Sequence, residues 1–213
     1  MRLPIAVALA FAAGISLPAA GAAQSRGQPP RGLATEGLSG QSVALLPLTL
    51  AVTDPALRGD SAVAALGDRR HLLLWADSVV GEEFLRRAPE VNWIVPGRLR
   101  QMARRNPGMM PDPDQMGQAI LRAQKLTKIP DPLRSSLRSL TAITGGRLAM
   151  APAALGLSRD SSGAFRADIA LALADARSGM VVWRSSTFGT GTAPGEAVAA
   201  AIAAVLPTAA PGP

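Results

Sequence analysis

The stretch SVALLPLTLAV, residues 42–52, is apolar at nearly every position and has the length of a strand. A strand of that kind has both faces covered, which places it inside a sheet that carries helices on each side. Pro47 stands in the middle of the run with no N–H to donate. The run therefore needs an edge, a bulge or an end near Leu46. Thr53-Asp54-Pro55 then supplies a cap and a first-turn proline. An α/β architecture follows from this one segment.

The rest of the chain agrees with it. Leu73, Ala76, Val80 and Phe84, with Leu72 and Val79 beside them, form the stripe of a helix over 72–88. Glu82 and Glu83 precede Arg86 and Arg87 in the favourable sense for surface pairs. VNWIV (91–95) predicts a short strand, Pro96 opens a helix over 97–105, and Asn106-Pro-Gly ends it. Pro111-Asp-Pro-Asp114 predicts the start of a helix over 115–126. Asp131-Pro132 predicts another over 133–143, closed by Gly145-Gly146. A strand over 147–155 leads to a loop at 158–163. LALADARSGMVVWRSS then belongs to a hairpin with strands 165–174 and 180–188, and an alanine-rich helix covers 195–206. This order predicts one α/β domain that leans towards α+β. Its mixed sheet has about five strands with helices packed over it, and a late antiparallel hairpin.

Both ends read differently. Residues 1–23 have the pattern of a cleaved signal peptide: Arg2, an apolar run, and small residues up to Ala22 and Ala23. Residues 24–40 are rich in Gly, Pro and Ser and predict a flexible leader before the domain at 41–206; residues 207–213 predict a disordered tail. The expected compartment is periplasmic or secreted, and no later stretch is apolar enough to span a membrane. Cysteine is absent, so an exported fold must rely on its core, and the sequence offers no cysteine to acylate.

The formal charge is +7, carried by 22 Lys plus Arg, nearly all of them arginine. An exported basic chain favours acidic partners such as an anionic envelope polymer or lipid. Aromatic residues make up 3%, with no tyrosine, which argues against nucleic acid.

An apolar strand (VALLPL), a helix, a strand after EVNW, a helix closed by Gly-Gly, and LALADARSGMVVW occur in an order that resembles a group of envelope α/β domains. These are the TolB amino-terminal domain, the curli-channel subunit CsgG and the penicillin-binding-protein activator LpoB. The resemblance implies a non-enzymatic domain that docks in the cell envelope. It places Asp175, Gly179 and Trp183 at the recurring hairpin of an acid, a turn glycine and an aromatic. No propeller repeat follows, and no pair of long alternating strands could serve as channel staves.

The residues themselves give Asp175 and Gly179 turn chemistry and Trp183 a packing role. Candidate chemistry elsewhere is thin. Gly59-Asp60-Ser61 resembles the nucleophile block of Gly-Asp-Ser hydrolases, but those need a general base supplied late in the chain, and the only histidine, His71, follows Ser61 closely, beside Arg69 and Arg70. Glycines 189, 191 and 195 lack the lysine of a phosphate loop, and Glu196 would repel phosphate, so Thr192 is expected to cap a helix. Asp112 and Asp114 fall far short of the roughly six to eight oxygen ligands of a hard cation. No metal and no cofactor are expected. The densest cationic cluster is Arg98, Arg100, Arg104 and Arg105, a candidate partner-binding helix face. The leading expectation is an exported, non-enzymatic envelope protein that docks to another envelope component through a sheet edge or this basic face. A cationic binder of anionic envelope polymer or lipid stands next, and an undetected hydrolase third.

Overall fold

The structure is a computed structural model that describes residues 31–206. The expected signal peptide and tail lie outside the described residues, as does the first part of the expected leader. Fifteen short and long elements follow a simple order, of which the sheet and five α-helices matter here. The run 42–52 divides at Pro47 into β1 (Ser42–Leu45) and β2 (Ala51–Thr53). Helix α1 (Ser61–Ala64) is one turn, and α2 (Arg69–Arg87) is the long amphipathic helix. Strand β3 (Asn92–Ile94) leads into α3 (Pro96–Arg105), and α4 (Leu133–Thr144) ends on Gly145 in the left-handed conformation. Three long strands, β4 (Leu148–Arg159), β5 (Phe165–Asp175) and β6 (Met180–Gly191), precede α5 (Pro194–Ala203).

The sheet is mixed and ordered β3-β1-β4-β5-β6, with β2 also on β4. Its early strands are parallel to β4 and its late strands are antiparallel. Two apolar layers flank it. Val43, Leu45, Met150 and Leu171 face α2 and α5. Ala44, Leu46, Ala149 and Ala172 face α3 and α4.

Proline sets a graded irregularity at mid-sheet. From Leu45 to Ala51 the chain takes six steps, while β4 covers the same distance from Met150 to Leu155 in five. Strand β5 covers it in four, from Leu173 to Ile169, because β4 bulges between Pro152 and Ala154. An extra residue in one strand bends it and increases local twist. Residues 46–50 are therefore thrown out of the ladder, although Leu46 N–H still reaches Met150 O and Leu155 N–H reaches Leu50 O.

Two expectations are corrected. The described end of the expected leader is part of the domain. Leu33 and Leu38 are buried, Leu33 N–H donates to Val205 O at 2.9 Å, and Trp183 Nε1 donates to Gly32 O at 3.1 Å. The expected helix over 115–126 is instead two 3-10 segments, Pro113–Gln115 and Gln118–Arg122. Gly117 adopts φ 75° between them. The fully buried Gln118 turns its amide to donate to Pro47 O and Pro113 O, at 2.8 and 3.0 Å.

Candidate functional site

The displaced segment 46–50 forms the floor of a cleft of about 750 Å³. Its walls are the first turns of α2 (Arg69, Arg70, Leu73, Leu74), the second half of α3 (Arg100, Ala103, Arg104), and Met110 to Asp114. Asp68 caps α2 through the His71 N–H at 2.9 Å. Arg69 and Arg70 thus stand at the positive end of the helix dipole, where cations destabilise a helix. Arg69 is held by Thr49 O at 3.0 Å. Among the described residues, no hydrogen bond or ion pair engages the guanidinium of Arg70 or of Arg104.

Behind the cleft, Asp77 ties three elements together. Its Oδ1 accepts the Leu48 N–H at 2.7 Å and its Oδ2 accepts from Arg100 Nη2 at 2.5 Å. Arg100 also forks onto Asp114, at 2.7 to 3.1 Å. Burial pushes the Asp77 carboxyl up to about 6, against the opposing Leu48 N–H and Arg100 guanidinium. Burial acts on Arg100 the other way, and the two carboxylates outweigh it and hold the guanidinium firmly charged.

The expected basic helix face is therefore divided. Arg98, Arg104 and Arg105 are exposed, and Arg98 donates to Gln101 Oε1 at 2.7 Å. Arg100 turns inward to its two aspartates, so it is a tie between helices and not a free cation. Arg104 faces the cleft, in company with Arg69 and Arg70, which the sequence reading left out. Asp77 was also missed, although its position among Leu73, Val80 and Phe84 marks a carboxylate on an apolar stripe.

Asp175 and Gly179 flank the β5–β6 turn, and Trp183 lies on β6. Asp175 Oδ1 accepts from the N–H groups of Arg177 and Ser178, and its other oxygen pairs with Arg147. Burial alone would raise its pKa, and these donors hold it below the ordinary value. Gly179 has φ 72°, and a Cβ there would strike the Arg134 side chain at 2.5 Å. Trp183 is buried in the layer under α5. The adjoining β6 edge is partly occupied: Val181 N–H donates to Thr127 O, and Ile129 N–H donates to Gly179 O. A partner strand would find that end of the edge taken.

Other candidate motifs resolve into structure. Asp60 caps α1 and pairs with Arg159 at 2.6 Å, leaving Ser61 in the first turn; the exposed His71 ring sits 3.0 Å from Asp68. Asp112 caps the Pro113–Gln115 3-10 turn and not an α-helix, while Asp114 pairs with Arg100. Thr192 does not cap α5. Ala193 takes that position, and Glu196 accepts from Thr192 N–H and Oγ1 at 2.8 and 2.6 Å. Gly189 and Gly191 end β6 directly against α5. Among the described residues, no group of three or more His, Cys, Asp or Glu could hold a metal.

Fold and cleft together define a mixed α/β domain with an arginine-rimmed depression beside its broken central strand. No family model matches the chain, and no curated protein matches it. Solved structures with a similar course include a single-substitution variant of the PelC dodecamer from Paraburkholderia phytofirmans. It covers 84% of this chain and 94% of its own at 12% identity, with a TM-score of 0.37. A second PelC dodecamer from that organism covers 84% and 92% at 14% identity, with a TM-score of 0.34. Lipoprotein GNA1162 from Neisseria meningitidis covers 70% and 80% at 13% identity, with a TM-score of 0.32. No helix among the described residues is long and apolar enough to cross a membrane.

Proposed function

We propose that this chain is an exported, non-catalytic accessory protein of the cell envelope, which holds another envelope component against the cleft between α2 and α3. One observation carries the reading. Arg70 and Arg104 stand without partners at the rim of a cleft whose floor and walls include Leu48, Leu73, Leu74 and Met110. Charge at the rim steers an anionic partner, and the apolar floor supplies contact area once it has arrived. The export-type pattern of residues 1–23 and the resemblance to TolB-like envelope domains support the compartment. The capping roles of Asp60 and Asp68 support a non-catalytic role, because they assign helix-end duties to the acids nearest Ser61 and His71.

The test is capture from envelope extracts by the full chain and by an Arg70→Glu/Arg104→Glu variant, at low and at high salt. The reading expects a discrete envelope component retained by the parent chain and lost by the variant at both salt concentrations. Equal capture by both proteins would place docking elsewhere, and capture by neither would sink the binding role.

A further inference from the structure

We infer that the occupant of the cleft is an anionic phospholipid, with its phosphate between Arg70 and Arg104 and its first acyl carbons on Leu73, Leu74 and Met110. This rests on the binding role proposed above and names the chemistry of the bound component.

What the walls offer decides between the possible occupants. An extended peptide would seek free backbone groups, and several of those in the displaced segment are already engaged. Pro47 O accepts from Gln118, Leu48 N–H donates to Asp77, Thr49 O accepts from Arg69, and Leu50 O accepts from Leu155 N–H. The other walls are largely helical, with most backbone bonds made internally. A glycan would seek aromatic platforms, and no aromatic side chain lines the cleft. What the walls do offer is two unpartnered guanidinium groups above aliphatic and thioether side chains. A phosphate accepts from arginine in forked geometry, and methionine adapts its shape to an irregular apolar ligand.

Size and surroundings agree. About 750 Å³ holds a headgroup and the proximal part of its chains. The remainder would leave past the partly exposed Leu74, and Met109, 71% exposed, stands next in the chain to the lining residue Met110. Large apolar side chains at that level of exposure suit contact with an acyl surface. Asp112, on the opposite wall, is engaged by Gln115 and by the Asp114 N–H, so it does not claim the two arginines.

The test is calorimetric titration of the full chain with dihexanoyl phosphatidylglycerol below its micelle concentration. Dihexanoyl phosphatidylcholine and glycerol phosphate serve as controls, and the variants are Arg70→Glu/Arg104→Glu and Leu74→Ser. All variants share the apolar start of the chain, so differences between them report on the cleft. Saturable binding of the phosphatidylglycerol is expected, weakened roughly tenfold or more by the charge reversal and less by Leu74→Ser. Equal binding of glycerol phosphate would overturn the lipid assignment in favour of a bare phosphate site. Binding unchanged by charge reversal would also overturn it. If no lipid binds while Arg70 and Arg104 still govern capture from envelope extracts, the lipid inference fails and the docking role stands. If both experiments are blank, both fall.

Discussion

Leu48 donates its backbone N–H to Asp77 Oδ1 at 2.7 Å, so the break in the first strand is moored to the middle of helix α2. The same carboxyl group accepts from Arg100, which brings α3 to the same point. Three elements that line the cleft thus share one acidic anchor.

Arg100 and Arg104 are expected to behave as different kinds of residue. Arg100→Ala removes the cation facing a buried carboxyl group and should cost about 2–3 kcal/mol of stability. Arg104→Ala removes an exposed, unpartnered side chain and should stay within about 0.5 kcal/mol. Urea denaturation of both variants decides the matter, and equal losses would contradict the division of the basic face.

Asp77 should leave a mark on the pH dependence of stability. Burial raises its folded value to about 6 from an ordinary 3.8, so the fold favours the protonated form. Its contribution is complete below 3.8 and is lost as pH rises through 6. Relative to Asp77→Asn, the parent chain should lose at most about 3 kcal/mol across that window, with no further change above it. Asp175 acts in the opposite sense: its stabilisation is present above the ordinary carboxylate range and is lost only in stronger acid. Denaturation curves for parent and variant between pH 3.5 and 7 test the sign; a constant gap would show that Asp77 is not perturbed.

Two glycines should respond oppositely to alanine. A Cβ on Gly189 would lie 2.2 Å from Ala201 N and 2.5 Å from Ala197 O, so α5 must shift. Gly189→Ala should therefore destabilise by about 2 kcal/mol or more. Gly97, in the first turn of α3, faces open space, and Gly97→Ala should stabilise by up to about 1 kcal/mol. Thermal unfolding reads both, and a tolerated Gly189→Ala would refute the close approach of α5 to β6.

Much of this was legible because periodicity reports burial directly. The stripe through Leu73, Ala76, Val80 and Phe84 specified α2, and Pro47 announced the interruption between β1 and β2. Asp175 and Gly179 declared their turn through backbone chemistry that depends on no distant residue. The failures have a common cause in contacts remote along the chain. Leu33 and Leu38 stand isolated among polar neighbours, and their segment is held on the domain by distant groups, Glu90, Val205 and Trp183 among them. The segment 115–126 has helical composition, but Gly117 turns left-handed and Gln118 is drawn to Pro47. Arg100 looked like its neighbours because nothing local distinguishes a paired guanidinium from a free one. The cleft was invisible for the same reason, since its arginines come from two helices that meet only in three dimensions.

The graded count of six, five and four steps across β1–β2, β4 and β5 gives the sheet the geometry of a curved running track, with the outer lane the longest. Loss of one residue near Pro47 would leave five steps beside the five of β4 and remove the slack that throws residues 46–50 out of the ladder. Chains descended from a common ancestor with this one that keep the cleft should therefore keep that surplus residue, whatever else changes along the strand.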